Sequence, residues 1–75
     1  MLEIIIGTLP NCQPCKFTKR QLTKRGFAYT EVSLTDSDEL ATVVTAHGYK
    51  QAPVVLVTNT GESWSGFRPE RVDAL

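Results

Sequence analysis

The chain has 75 residues, eight basic and eight acidic, for a net charge of zero. That length fits one domain over residues 1–75 with a small core, and the charge balance speaks against a nucleic-acid or membrane-surface partner. No apolar run reaches transmembrane length. The N-terminus lacks a basic segment and Glu3 interrupts its first apolar run, so a cytoplasmic setting is expected.

Residues 2–6, Leu-Glu-Ile-Ile-Ile, are short, β-branched and nearly all apolar, which suits a central strand covered on both faces. Gly7 and Pro10 break this run into a loop ending at Asn11. A helix is expected over residues 16–25, capped by Asn11 or Cys12 and stopped by Gly26. Pro14 fits because it falls in the first turn, where its missing N–H has no intrahelical partner. The apolar face of this helix is thin: Cys15, Thr18 and Leu22 share it, and Phe17 lies off it.

Residues 27–34, with Phe27, Tyr29, Val32 and Leu34, read as a second strand. A helical crossover should make it parallel to the first. A second helix is expected to start within residues 35–39, with Asp36 and Glu39 in a capping-box arrangement. Leu40, Val43, Val44 and His47 then form one buried stripe, ended by Gly48. Residues 54–57, Val-Val-Leu-Val, are a buried strand, 58–61 a turn, and 62–65 a short strand closing a hairpin. Pro69 opens a last short helix carrying Val72 and Leu75.

The only two cysteines, Cys12 and Cys15, stand in a C-x-x-C arrangement at the first strand-to-helix junction. A cysteine at a helix N-terminus faces free backbone N–H groups and the positive end of the dipole, which favour its thiolate. The second cysteine lies one helical turn on, within reach of a short disulfide. The pair encloses two residues only, so it is a weak staple. A dithiol–disulfide redox site is the reading that fits.

The order β-α-β-α-β-β-α, with C-x-x-C after the first strand and a proline opening the third, resembles the thioredoxin fold. This is an α/β class in which three helices flank a four-stranded mixed sheet. Gly48-Tyr49, Gln51-Ala52-Pro53-Val54-Val55 and Trp64-Ser65-Gly66-Phe67-Arg68-Pro69 resemble the NrdH-redoxin group of glutaredoxin-like proteins. The resemblance implies that Cys12 attacks and Cys15 resolves, with Pro53 as a cis-proline beside them. It implies that Gln13, Pro14, Ala52, Pro53, Trp64, Ser65, Gly66, Phe67 and Arg68 meet substrate or partner. It also implies a monomer with no bound cofactor, reduced by thioredoxin reductase at the expense of NADPH. Its target would be ribonucleotide reductase or another disulfide protein. Two features depart from glutaredoxins. Proline takes the second place between the cysteines, as in thioredoxins, and Ser65-Gly66-Phe67-Arg68 stands where glutaredoxins carry the Gly-Gly-x-Asp run that holds glutathione. Weak glutathione binding is expected, with a glutathione-dependent glutaredoxin as the alternative.

A zinc-binding module is the rival reading of the same cysteines. It needs four ligands, and His47, on another helix, is the only further soft ligand, so no metal site is expected. His47 itself is read as a packed residue near a helix C-terminus, and Tyr49 as packing against the loop before Pro53. Trp64 and Phe67, flanked by Ser65 and Gly66, are expected in an exposed loop near the cysteines, with plain core as the alternative. Five of the eight basic residues fall within 16–25 with no acid among them. They are read as a solvated helix face, with partner docking as the functional alternative.

Overall fold

The computed structural model describes residues 2–75. The elements are β1 (Ile4–Thr8), α1 (Gln13–Lys24), β2 (Thr30–Ser33), α2 (Asp38–His47), β3 (Val54–Val57), β4 (Glu62–Ser65) and α3 (Pro69–Asp73). The strands form one sheet in the order β2-β1-β3-β4. β1 runs parallel to β2 and antiparallel to β3, and β3 pairs antiparallel with β4. This is the expected mixed sheet with three helices, and it is a thioredoxin fold.

Strand alternation divides the apolar residues between the two faces of the sheet. Ile4, Ile6, Val55, Val57 and Trp64 join Leu22 of α1 and Val72 of α3 in one core cluster. Val54 and Leu56 join Leu40 of α2 in the other, with Ile5, Val32, Val43 and Val44 packed around them. The sheet is thus sandwiched, which explains why β1 and β3 read as continuous apolar runs. Gly7 lies against Leu40 of α2 and Leu34: a Cβ there would stand 2.5 Å from Leu40 Cδ1 and 2.8 Å from Leu34 Cδ1.

Several element ends differ from the sequence expectation. β1 begins and ends two residues later than residues 2–6. β2 is confined to Thr30–Ser33, because Phe27 belongs to the end of α1. Its N–H donates to Leu22 O at 2.9 Å while the Gly26 N–H donates to Thr23 O at 3.0 Å, the two bonds of a Schellman stop. Phe27 and Tyr29 therefore reach the core from a loop rather than from a strand. The cap of α2 is Ser37, not Asp36. The Asp36 N–H is held in the preceding turn by Ser33 O, and Ser37 Oγ accepts from the Leu40 N–H at 3.2 Å.

The apolar stripe of α2 is also shorter than expected. Leu40 is buried, Val43 and Val44 are half-buried, and His47 is exposed. The packed contact ends at Val44, whose carbonyl accepts from both Gly48 and Tyr49 as the chain reverses. His47 lies over the Tyr49 ring with centroids 5.1 Å apart and planes 9° from parallel. Tyr49 packs against the α2-side core, and its hydroxyl is bonded to Ser63 Oγ of β4 at 2.8 Å.

Candidate active site

The register of the sheet gathers the site at one end. Thr8, the last residue of β1, is followed directly by the loop to Cys12. Gly7 pairs with Val54, which places the start of β3, and hence Pro53, beside the end of β1. Val54 pairs with Ser65, which brings the end of β4 to the same edge. Residues 9–15, 52–53 and 66–68 therefore emerge together, although most of the chain separates them in sequence.

Asn11 turns the chain into α1 with a φ of 56°, a left-handed conformation that asparagine tolerates better than most residues. Cys12 is the N-cap, in extended conformation. Its sulfur takes the place of the usual capping oxygen and accepts from the Cys15 N–H at 3.1 Å. The two cysteines form a disulfide with Cα atoms 5.3 Å apart. They are not equivalent: Cys12 is half-buried, whereas Cys15 is 2 % exposed. Cys15, Thr18 and Leu22 are the buried residues of α1, as the sequence predicts. The fully buried Thr18 hydroxyl donates to Pro14 O at 2.8 Å, securing the first turn below the disulfide. Sequence reasoning placed Thr18 on the buried face but missed this bond, whose only signal is a hydroxyl four residues after a proline in the first turn.

The Ala52–Pro53 peptide bond is cis, and Pro53 is buried. Pro53 O accepts from the Gly66 N–H at 2.8 Å, joining two of the expected site segments. Gly66 has a φ of 81°, a left-handed turn that favours glycine, and a Cβ there would lie 2.7 Å from the movable side-chain end Gln51 Oε1. Phe67 follows it, exposed, with its ring 5.7 Å from that of Phe17 on α1.

Trp64 does not lie in an exposed loop. It belongs to β4 opposite Val55, is 2 % exposed, and packs in the core between the sheet and α1 and α3. Trp64 points to the α1 and α3 side of the sheet while Ser63 points to the other side, where its Oγ meets the Tyr49 hydroxyl, as the strand period requires; the small polar Ser63 and Ser65 hide this burial in the sequence. Among the described residues Trp64 Nε1 is the one buried side-chain nitrogen or oxygen without a hydrogen-bond partner. The Arg71 guanidinium lies over the indole ring, 5.2 Å from its centroid, and also meets Glu62 at 3.3 Å. Of the expected 64–68 segment, Phe67 and Arg68 are the exposed members; Gly66 is buried and Ser65 half-buried.

Ion pairs tie both flanks of α1 to neighbouring elements. Lys19 bonds Glu31 of β2 at 3.1 Å, and the Thr8 hydroxyl donates to the same carboxylate at 2.9 Å. Hydrogen bonds from Lys19 and then Thr8 hold the Glu31 carboxyl below its ordinary range. Arg25 and Gln21 bond Asp73 of α3 at 2.7 and 2.8 Å, and the Arg25 bond, then the Gln21 bond, lowers that carboxyl too. Among the described residues no three His, Cys, Asp or Glu side chains converge as a metal site.

This geometry recurs in known proteins. The glutaredoxin family model matches residues 4–61. The chain belongs to the glutaredoxin family. Within it, the similarity runs to the NrdH group: the chain is 38 % identical over 74 residues to the glutaredoxin-like protein NrdH of Salmonella typhimurium, covering 99 % of this chain and 89 % of that protein. The NrdH-redoxin of Escherichia coli superposes with a TM-score of 0.80 at 37 % identity, covering 97 % of this chain and 93 % of that one. The thioredoxin-like protein BC3987 superposes at 0.75 with 25 % identity, covering 95 % and 96 %. With its close cysteine pair, this NrdH-like glutaredoxin is a thiol–disulfide oxidoreductase. No helix among its described residues is long and apolar enough to cross a membrane.

Proposed function

We propose that this glutaredoxin reduces disulfides of partner proteins by a two-step exchange that starts at Cys12. The observation that carries this reading is the inequality of the pair: Cys12 is half-buried at the helix cap, and Cys15 is buried behind it with its N–H directed at the Cys12 sulfur. In the reduced protein, the same N–H and the helix N-terminus favour the Cys12 thiolate. That thiolate attacks one sulfur of the target disulfide. A bond forms between Cys12 Sγ and the target, the target S–S bond breaks, and the departing thiolate takes up a proton. Cys15 then loses its proton and attacks Cys12 Sγ, closing the internal disulfide and releasing the second target thiolate, which is also protonated. Two electrons and two protons have moved to the target.

The remaining residues fall into roles around this exchange. The exposed Gln13 and Pro14 face the target between the two sulfurs. The backbone of Ala52, beside the cis Pro53, pairs with an extended target segment. Ser65, Gly66, Phe67 and Arg68 border the approach, with Gly66 holding its turn against Pro53 O. Trp64 supports that border from the core rather than touching the partner.

Thioredoxin reductase, drawing on NADPH, is the proposed electron source. Ribonucleotide reductase in the cytoplasm is the proposed target, with a monomer and no bound cofactor. Two observations support the reductase. The similar Escherichia coli protein is described as having a thioredoxin-like activity profile, and Ser65-Gly66-Phe67-Arg68 lacks the glutathione-holding pattern. The target assignment rests on the resemblance to NrdH-redoxins. A coupled assay of NADPH oxidation with a disulfide substrate tests the electron source. Turnover with thioredoxin reductase, and none with glutathione plus glutathione reductase, is the expected result. Turnover with glutathione alone would make the protein a glutathione-dependent glutaredoxin.

A further inference from the structure

The exposed face of α1 carries charge and aromatic surface that the thiol exchange does not use. Lys19 and Arg25 are engaged with Glu31 and Asp73. Lys16, Arg20 and Lys24 are spaced i, i+4, i+8, one above another on the helix, and all three are exposed. None of them forms an ion pair among the described residues; Lys24 adds only a longer-range pull on Asp73. Beside this stripe, Phe17 and Phe67 touch each other while remaining 43 % and 40 % exposed. Arg20 lies over the Phe17 ring at 5.8 Å. Phe17, Arg20, Gln21, Lys24 and Phe67 line an open groove of about 320 Å³. It starts two residues after Cys15 and is bounded by the turn that Gly66 fixes to Pro53.

We propose that this groove docks an acidic segment of the partner protein, seating one apolar side chain against Phe17 and Phe67 and carboxylates against Lys16, Arg20 and Lys24. The assignment rests on the disulfide-exchange reading above and names the chemistry of its partner. Charge complementarity carries it: three uncompensated cations stand along roughly 12 Å of helix, about 6 Å apart. An extended peptide presents side chains to one side every ~7 Å, so acids at alternate positions match that spacing. Glu31 on one flank of α1 and Asp73 on the other confine the positive stripe. The exposed phenylalanine pair adds an apolar anchor of the kind that marks an interaction surface.

The test uses two synthetic peptides that share one disulfide loop and one phenylalanine. Three alternating positions are Asp in one peptide and Asn in the other. Rates of reduction by the dithiol form of the whole protein are compared at low and high salt. The Asp peptide should be reduced roughly five- to tenfold faster at low salt, and the advantage should shrink towards unity near ~0.5 M salt as screening sets in. The ratio should also collapse in an Arg20→Glu/Lys24→Glu variant that keeps its circular dichroism spectrum. Replacing the peptide phenylalanine by alanine should slow reduction by the native protein more than by a Phe17→Ala variant. Equal rates for the two peptides would overturn the docking proposal and leave the exchange reading intact. Failure to reduce either peptide would overturn the exchange reading itself. Stronger inhibition of Asp-peptide reduction by single-stranded DNA than by poly-aspartate at matched charge would overturn the acidic-peptide assignment in favour of nucleic acid.

Discussion

The Cys15 backbone N–H donates to the Cys12 sulfur at 3.1 Å. This contact makes the first cysteine the cap of α1 and the second a buried residue of its first turn, so the reactive difference between two identical side chains comes from helix geometry. It predicts an ordering of reactivity. In the reduced protein, iodoacetamide should modify Cys12 well before Cys15, because Cys12 is both accessible and favoured as thiolate. Peptide mapping after brief alkylation at neutral pH checks this. Equal labelling of both residues, or faster labelling of Cys15, would contradict the assignment of roles.

Thr18 should matter to stability more than its surface-type chemistry suggests. Its hydroxyl is fully buried and donates to Pro14 O. Thr18→Val keeps the shape and removes the donor, which should cost roughly 1 kcal/mol. For a domain of this size that corresponds to about 4–8 °C in Tm. Thermal unfolding of the oxidised variant measures it, and an unchanged midpoint would show that the bond adds nothing.

Trp64 gives a sharper contrast. Trp64→Ala removes a core ring packed with Val55 and Val72 and should cost ~3–5 kcal/mol, a large share of the stability of any small domain. Trp64→Phe should be much milder, since the indole nitrogen has no partner to lose. If Trp64 acts from the core, Trp64→Phe should retain most of its rate of disulfide reduction. A large loss of rate with a native thermal midpoint would place the indole in partner contact instead.

Glu31 should give the fold a weak acid sensitivity. Bonds from Lys19 and Thr8 lower its carboxyl in the folded protein, so the unfolded chain binds that proton more readily. The stabilisation is therefore complete above the unfolded carboxylate range and is lost as pH falls through the lowered folded value. The pair is exposed, so solvent screening limits it to about 0.5 kcal/mol or less. The stability gap between the native protein and Glu31→Gln, followed by urea unfolding from neutral pH to about pH 3, should narrow with acidification. A gap that widens would reverse the sign of the argument.

The sequence was most informative where local chemistry and tertiary structure agree. The first cysteine at the start of a helix, Gly26 and Gly48 as helix stops, and the Val54-Val55-Leu56-Val57 run all stand where the residues place them. Legibility failed where a residue's neighbours come from distant parts of the chain. Phe27 and Tyr29 look like strand residues but serve the end of α1 and the core. His47 fits the α2 stripe by spacing, yet the sheet contact ends at Val44, and spacing alone carries no such boundary. Trp64 is the clearest case. Residues 62–65 form the strand they suggest, but the small polar neighbours of Trp64 suggest exposure, while packing with Leu22 of α1 and Val72 of α3 buries it. The meeting of Phe17 with Phe67 was equally hidden, because it depends on how α1 and the turn after β4 pack together.

The most direct test of the account is a trapping experiment with Cys15→Ser. The reduced variant is mixed with a peptide or protein containing one disulfide, and the products are mapped by mass spectrometry without a reducing agent. The account predicts a stable mixed disulfide at Cys12, no release of reduced target, and no comparable adduct with Cys12→Ser. An adduct-free Cys15→Ser variant, or a Cys12→Ser variant that still reduces the target at the native rate, would contradict the two-step exchange.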